Sequence, residues 1–349
     1  MSITLKNIAE ELNLSVTAVS RALRNMPDIS KDTTNLVKET ARRLGYKKNL
    51  AASYLKTARS MTLGVIVPDI CNPVFSYIYK GIENKCREKS YTLMLGISNE
   101  ESESEAALAE NMISHGVDGI FIVPSKDSET DKHIPRVTDL PCIVLQRKRK
   151  SGVEYFVQSN DYEGGYLAAE HLYERGHRKF ILVFADLRIS SARERYDGFT
   201  AYLQNAGLFD AVELIECNGT RAGAYEAINS RLEKTTDGKT LPASAIFCFS
   251  DYIACGVYSA LEERGISVPS DVSVVGYDNN EYAGVMSPAL TTVDILPYEI
   301  GDRAAEMMLK ALEGACTEKE RQIVISPHIV VRNSTKNQFD EKTFINMQI

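Results

Sequence analysis

The sequence predicts a small all-α helical head joined to an α/β body of two doubly wound parallel-sheet sub-domains. Three observations predict this. Residues 4–46 show helical apolar spacing in three short segments, broken by Asn and Gly at turn positions. From Leu63 onward, strand-length apolar runs alternate with helix-length stretches, the βαβ pattern of parallel sheets. Charge divides the chain at the same place. Residues 1–60 hold 11 Lys and Arg against 5 Asp and Glu, a net of +6; the whole 349-residue chain is −7, so residues 61–349 carry −13. A basic head on an acidic body is the footprint of a nucleic-acid-binding module attached to something that is not one.

In the head, Thr4 can cap a first helix from about Leu5 to Asn13, with Ile8 and Leu12 on its inner face. Asn13-Leu14-Ser15 makes a turn, because Asn tolerates the left-handed conformation and Ser is a favoured N-cap. The second helix turns Val19 and Leu23 inward and Val16, Thr17, Ser20 and Arg21 outward. Ser30 opens a third helix with Asp32 in its first turn, Leu36, Val37, Ala41 and Leu44 on one face, and Gly45 as its stop. The expected core is Ile8, Ala9, Leu12, Val19, Leu23, Val37 and Leu44. This is the pattern of a helix-turn-helix, whose second helix enters the major groove of DNA. Tyr46–Thr57 follows, rich in Ala and Leu, with Asn49 placed to cap a helix too short to stand alone in water; a plain solvated linker is the other reading.

In the body, strands are expected at Leu63–Val67, Tyr91–Leu95, Gly119–Val123, Cys142–Leu145, Phe180–Phe184, Val212–Ile215, Ala245–Phe249 and Val272–Tyr277. Helices are expected at about 76–89, 103–115, 163–175, 194–206, 221–234, 251–264 and 298–313. So many strands exceed one sheet, and a charged break at Gln146–Gly152 before a fresh start near Asn160 divides them into two sub-domains. Ligands of such sheets bind beyond the carboxyl ends of the strands. Asn72, Phe75, Ser125, Arg147, Asp251 and Asp278 all follow strands, and Arg195 is expected to begin a helix. Their amide, guanidinium and carboxylate groups suit hydroxyl recognition, with Phe75 as an apolar face; each polar one is equally readable as a helix cap or salt-bridge partner.

Several classes are excluded. No apolar run approaches the roughly 18–20 residues of a membrane span, and Met1–Thr4 leads into a charged helix rather than a signal peptide. A cytoplasmic protein without membrane association is expected. The seven cysteines form no C-x-x-C pair and read as reduced core residues, and the five histidines have no ligand spacing, so neither metal nor cofactor is expected. There is no G-x-G-x-x-G after the first strand and no G-x-S-x-G. Gly238-Lys239-Thr240 has the ending of a P-loop, but Glu233 stands where the first glycine belongs. No catalytic constellation supports an enzyme, and an enzyme is not expected.

The head motifs Asn7-Ile8-Ala9, Leu14-Ser15, Val19-Ser20-Arg21-Ala22-Leu23, Ile29-Ser30, Thr33 and Arg43-Leu44-Gly45-Tyr46 resemble the LacI/GalR family of bacterial transcriptional regulators. The body continues the resemblance to about residue 334. Gly64–Pro68, Asn72-Pro73-Val74-Phe75, Gly116–Gly119, Glu163-Gly164-Gly165, Arg175-Gly176-His177, Asp251-x-x-Ala254, Gly276-Tyr277-Asp278 and Pro288–Val293 stand in family order. The resemblance implies a head at 1–46, a hinge helix and linker at 47–61 and an effector-binding, dimerising domain at 62–334, like a type I periplasmic binding protein. Its two sub-domains break near 146–160 and cross back near 290–325, and 335–349 is a tail.

By the same resemblance the chain is a homodimeric repressor binding a pseudo-palindromic double-stranded operator under control of a small carbohydrate or derivative. The DNA-facing residues would be Thr4, Ser15, Val16, Thr17, Ser20, Arg21 and Asn25 in the head and Asn49, Ala52, Leu55 and Lys56 in the hinge. Val16 and Thr17 would read bases, and Leu55 would wedge into the minor groove. Arg195 and Asp278 become the leading effector contacts. Gln146 departs from the family, where many relatives carry Asp, and the basic loop Arg147–Lys150 would also suit an anionic effector. A solute-binding protein and an α/β enzyme acting on sugars or nucleotides are the alternatives.

Overall fold

The computed structural model describes residues 3–46, 59–126, 140–148, 155–208 and 210–338. The chain separates into two compact units, divided between Ser60 and Met61.

The first unit holds α1 (Leu5–Leu12), α2 (Val16–Leu23) and α3 (Lys31–Arg43). Asn13 ends α1 in the left-handed conformation at φ 51°, and the backbone amide of Leu14 returns to the Ala9 carbonyl at 3.0 Å. Ser15 caps α2 by accepting from the Ala18 amide at 3.0 Å, and Ser30 caps α3 by accepting from Thr33 at 3.1 Å. Ile8, Ala9, Val19, Ala22, Val37 and Ala41 form the buried centre. Leu12, Leu23 and Leu44 lie at its margin rather than inside it. The small alanines Ala22 and Ala41 let the helices approach, which apolar spacing read by side-chain size overlooks. Leu36, expected on the inner face of α3, is instead 51% exposed; it precedes Val37 by one position and so points about 100° away from it.

The second unit contains two six-stranded sheets. The first lobe is built from β1 (Thr62–Val67), α4 (Pro73–Glu88), β2 (Thr92–Ile97), α5 (Ser102–Ser114), β3 (Ile120–Ile122), β4 (Cys142–Leu145) and β5 (Tyr155–Ser159). The second lobe continues with α6 (Asp161–Glu174), β6 (Phe180–Phe184), α7 (Ser190–Asn205), β7 (Val212–Glu216), α8 (Arg221–Glu233), β8 (Ala245–Cys248), α9 (Asp251–Glu263), β9 (Ser273–Tyr277) and β10 (Thr291–Asp294). α10 (Pro297–Leu312) and β11 (Gln322–Ile325) then return to the first lobe, and β12 (His328–Val330) ends in the second. The strand orders are β11-β5-β4-β3-β1-β2 and β12-β10-β9-β8-β6-β7, all parallel except the β10–β12 pair. In each sheet the lobe's first strand lies between its second and third. That reversal is the topological switch point at which α/β sheets open a ligand crevice.

Strand β5 still pairs within the first sheet, so the chain passes to the second lobe after Ser159. β5 and β10–β12 escape the apolar-run reading because they are short, carry polar ends and, for β11, alternate in exposure at a sheet edge. The expected tail begins later than 335. The Thr335 hydroxyl is 3.0 Å from His171 Nε2, the Lys336 amide donates to Ser273 Oγ at 3.1 Å, and the Gln338 amide donates to the Arg175 carbonyl at 2.7 Å. His171, in the last turn of α6, and His177, just beyond its end, are both buried.

Candidate functional site

The head presents Thr4, Ser15, Val16, Thr17 and Asn25 to solvent, with Ser20 and Arg21 half-buried. Thr4 is the N-cap of α1 and shares a capping box with Asn7. Its amide and hydroxyl both donate to Asn7 Oδ1, at 2.9 and 2.8 Å. Val16, in the first turn of α2, is 45% exposed although apolar, which suits contact with a thymine methyl. Arg21 is engaged by Asp28 at 2.8 Å through Nε and 2.7 Å through Nη2; this guanidinium holds the Asp28 carboxyl below its ordinary range. Asn25 sits at φ 56° just past α2. Asn49, Ala52, Leu55 and Lys56 lie outside the described residues.

At the strand ends of the first lobe, Asn72 caps α4 by accepting from the Val74 amide at 3.3 Å. Phe75 is buried one turn further on, with the Arg147 guanidinium 5.7 Å from its ring centre. Arg147 follows β4 directly and is itself buried. Its Nη1 donates to Glu100 Oε2 and the Pro124 carbonyl, both at 2.8 Å, and its Nη2 donates to Glu100 Oε1 at 2.8 Å. Gln146 has φ 58° and reaches Asp161 Oδ2 at 3.4 Å. Lys148 crosses to the second lobe, where its amide donates to Ser190 Oγ at 2.8 Å and its ammonium pairs with Glu194.

The second lobe centres on Arg195. It does not begin its helix, which starts at Ser190, but projects from the second turn. Its Nε donates to Asp161 Oδ1 at 2.9 Å and its Nη1 to the Phe249 carbonyl at 2.6 Å. Its guanidinium carbon lies 3.7 Å from the Tyr277 ring centre and 4.5 Å from that of Phe249. Tyr277 in turn donates its hydroxyl to Asp161 Oδ1 at 3.0 Å. Asp278 stands 3.7 Å from Arg195 Nη1. Burial pushes its carboxyl well above the usual range, with Arg195 pulling the other way. Its φ of 102° is a strained backbone for a non-glycine residue.

Asp251 behaves differently. Ser250 takes the capping role, accepting from Ile253 at 3.2 Å. Asp251 accepts from the Thr292 hydroxyl and the Asn280 amide, both at 2.7 Å, so both oxygens are already engaged in tying β10 and the turn after β9 to α9. Burial raises its pKa to about 7 against those bonds.

Buried polar atoms without a protein partner gather at these same strand ends. They include Ser98 Oγ after β2, Ser125 Oγ after β3, Gln146 Oε1 after β4 and Ser159 Oγ at the end of β5. Asp278 Oδ1 and Asn280 Oδ1 join them after β9. Buried polar groups of folded proteins are otherwise nearly always satisfied, so a row of exceptions at a crevice marks a ligand position. A shallow surface cavity lined by Tyr258, Leu261, Ile266 and Pro288 lies on the second lobe. It has none of these features, and the strand ends are the better site.

Residues 4–49 match the description "Bacterial regulatory proteins, lacI family", and residues 169–335 match "Periplasmic binding protein-like domain". The chain is 31% identical over 338 residues to the HTH-type transcriptional repressor PurR of Actinobacillus pleuropneumoniae serotype 3 (strain JL03), covering 96% of this chain and 98% of that one. This chain belongs to the lacI family of bacterial regulatory proteins. PurR of Vibrio atlanticus (strain LGP32) is 32% identical over 343 residues, covering 95% and 98%. Among solved structures, a LacI family transcriptional regulator from Enterococcus faecalis V583 with bound ribose is 31% identical, with a TM-score of 0.70, covering 80% of this chain and all of that one. A lac repressor dimer bound to operator and the anti-inducer ONPF superposes with a TM-score of 0.84 at 23% identity over 96% of this chain, which supports the fold.

As a lacI-family member the chain is a DNA-binding transcriptional regulator. Of the expected site residues, Phe75, Ser125, Arg147, Arg195 and Asp278 lie near the strand ends, Asn72 caps α4, and Asp251 ties β10 and the turn after β9 to α9. Asp161, Glu100 and Asn280 were not anticipated. Asp161 follows the Asn160 cap and reads as an ordinary first-turn carboxylate, and Glu100 reads as one of several acids in a loop. Only contacts across 34 and 47 positions reveal them.

Proposed function

We propose that the chain represses transcription as a homodimer in the cytoplasm, with each head reading one half of a pseudo-palindromic operator. A small hydroxyl-rich effector, a carbohydrate or relative, sits between the two lobes. The observation that carries this reading is the row of buried polar atoms without a hydrogen bond at the strand ends of both lobes, Asp278 Oδ1 beside Arg195 among them. The ribose held by the Enterococcus faecalis regulator supports the effector class. Dimerisation is supported by apolar side chains left at the surface, including Leu95 and Ile97 on the edge strand β2 and Val285, 83% exposed, after β9; such patches suit a self-complementary two-fold interface. No described helix is long and apolar enough to cross a membrane.

Selection of binding sites from random duplex DNA by the intact protein tests the reading. It should yield two half-sites with two-fold symmetry, bound with affinity that falls steeply with salt. Leu55→Ala should weaken the selected site far more than random DNA, and equal losses on both would remove the minor-groove wedge. Recovery of no preferred sequence would exclude the operator reading altogether.

A further inference from the structure

We propose that Glu100 sets the charge class of the effector: by holding Arg147 in a two-point ion pair, it makes the cleft take an uncharged hydrogen-bond donor and reject anions. This rests on the strand ends being the effector site.

Arg147 is a cation that the first lobe places near its strand ends, and its side chain is only 6% exposed. Alone, beside the Phe75 ring, it would be a phosphate or carboxylate receptor, since a guanidinium fork matches either group in a bidentate way. Glu100 already fills that fork with both of its oxygens at 2.8 Å. The backbone is shaped for this. Asn99 and Glu100 both have left-handed φ, at 54° and 61°, in the turn after β2. The Lys126 amide donates to Glu100 Oε2 at 3.2 Å and steadies it further. Two consecutive non-glycine residues in this region are strained, and such strain persists where surrounding structure holds a functional geometry.

The other lobe repeats the arrangement. Arg195 faces Asp161 at 2.9 Å and Lys148 faces Glu194. With those cations engaged, the buried atoms left without a hydrogen bond are Asp278 Oδ1, which stands 3.7 Å from Arg195 Nη1, Gln146 Oε1 and Asn280 Oδ1, accompanied by the hydroxyls of Ser98, Ser125 and Ser159. An anion would bring acceptors to acceptors. A polyol or an amine-bearing base brings donors. The basic loop that begins at Arg147 therefore does not give an anion site through Arg147.

The test is calorimetric titration of inorganic phosphate into the full-length protein, with chloride holding ionic strength constant. Wild type, Glu100→Gln, Arg147→Gln and the Glu100→Gln/Arg147→Gln double variant are compared. Glu100→Gln keeps the side-chain shape and removes the charge. It should bind phosphate at least about tenfold more tightly than wild type, and the double variant should lose that gain. Wild type and Arg147→Gln should respond alike. The proposal is overturned if Glu100→Gln gains nothing, if the gain survives in the double variant, or if wild type binds phosphate in a way that Arg147→Gln abolishes. The wild-type comparison stands even if Glu100→Gln fails to fold. No DNA enters the titration, so its failure is separate from failure of the operator reading.

Discussion

Arg195 lies between the rings of Tyr277 and Phe249 and the carboxylates of Asp161 and Asp278, and all but Phe249 are buried. Removing one partner of a buried ion pair leaves the other charge uncompensated, which costs about 3–5 kcal/mol. Arg195→Ala should lower the unfolding free energy by about that much in urea titrations, and a loss under about 1 kcal/mol would show that Asp161 relaxes into solvent or neutralises. Two buried histidines make a second residue-level prediction. Burial lowers the pKa of His171 to about 3 and that of His177 to about 4, from about 6.5 when unfolded. Between those values the unfolded chain binds more protons than the native one, so stability is full above about pH 6.5 and falls as pH drops toward 4. Each histidine contributes at most about 1.4 kcal/mol per pH unit. Urea midpoints at pH 7.5 and 5.5 should show the fall, and a His171→Leu/His177→Gln variant should flatten it. Asp278 was legible from the strand it follows, whereas Arg195 was singled out by the family resemblance, because its helix begins at Ser190 rather than at Arg195. Glu100 and Asp161 were not, because their identity as partners arises only when distant loops meet.

Helix α6 meets α7 backbone to backbone. A Cβ on Gly165 would fall 2.0 Å from the Arg195 carbonyl oxygen, and one on Gly198 would fall 1.9 Å from that of Tyr162. This close crossing brings Arg195 onto Asp161 in the first turn of α6. Gly165→Ala must therefore push the helices apart. A loss of about 1–3 kcal/mol, typical of overpacking, should come with weakened effector binding, measured by thermal shift; unchanged binding would mean that the Arg195 position does not depend on this contact. In the head, Ser15→Ala removes the cap of α2 and should cost about 1 kcal/mol. The effect should be seen as earlier melting of the helical signal and weaker DNA affinity. Helices with caps and long apolar runs were readable at this scale, with boundaries shifted by a few residues. The short strands β5, β10, β11 and β12 were not, because three to five residues with polar ends carry no periodicity. Their pairing is decided by the sheet they join.

Two lobes with the same strand order are joined by three crossings of the chain. The alternation of strands and helices made this architecture legible from sequence, and the opposite charges of head and body made its division of labour legible. The assignment of β5 to the first lobe was hidden by the charged stretch before it. The central claim is that a ligand bound in the body alters DNA binding by the head. Such coupling is reciprocal and typically about 1–3 kcal/mol, or about 5–150-fold in affinity. The most direct measurement is an anisotropy titration of the intact protein against its selected operator, with and without the compound that most raises its melting temperature in a screen of sugars, polyols and nucleosides. Operator affinity should change by a factor in that range, the operator should change affinity for the compound by the same factor, and Asp278→Ala should abolish both effects. Operator affinity that stays the same at saturating compound would contradict the account.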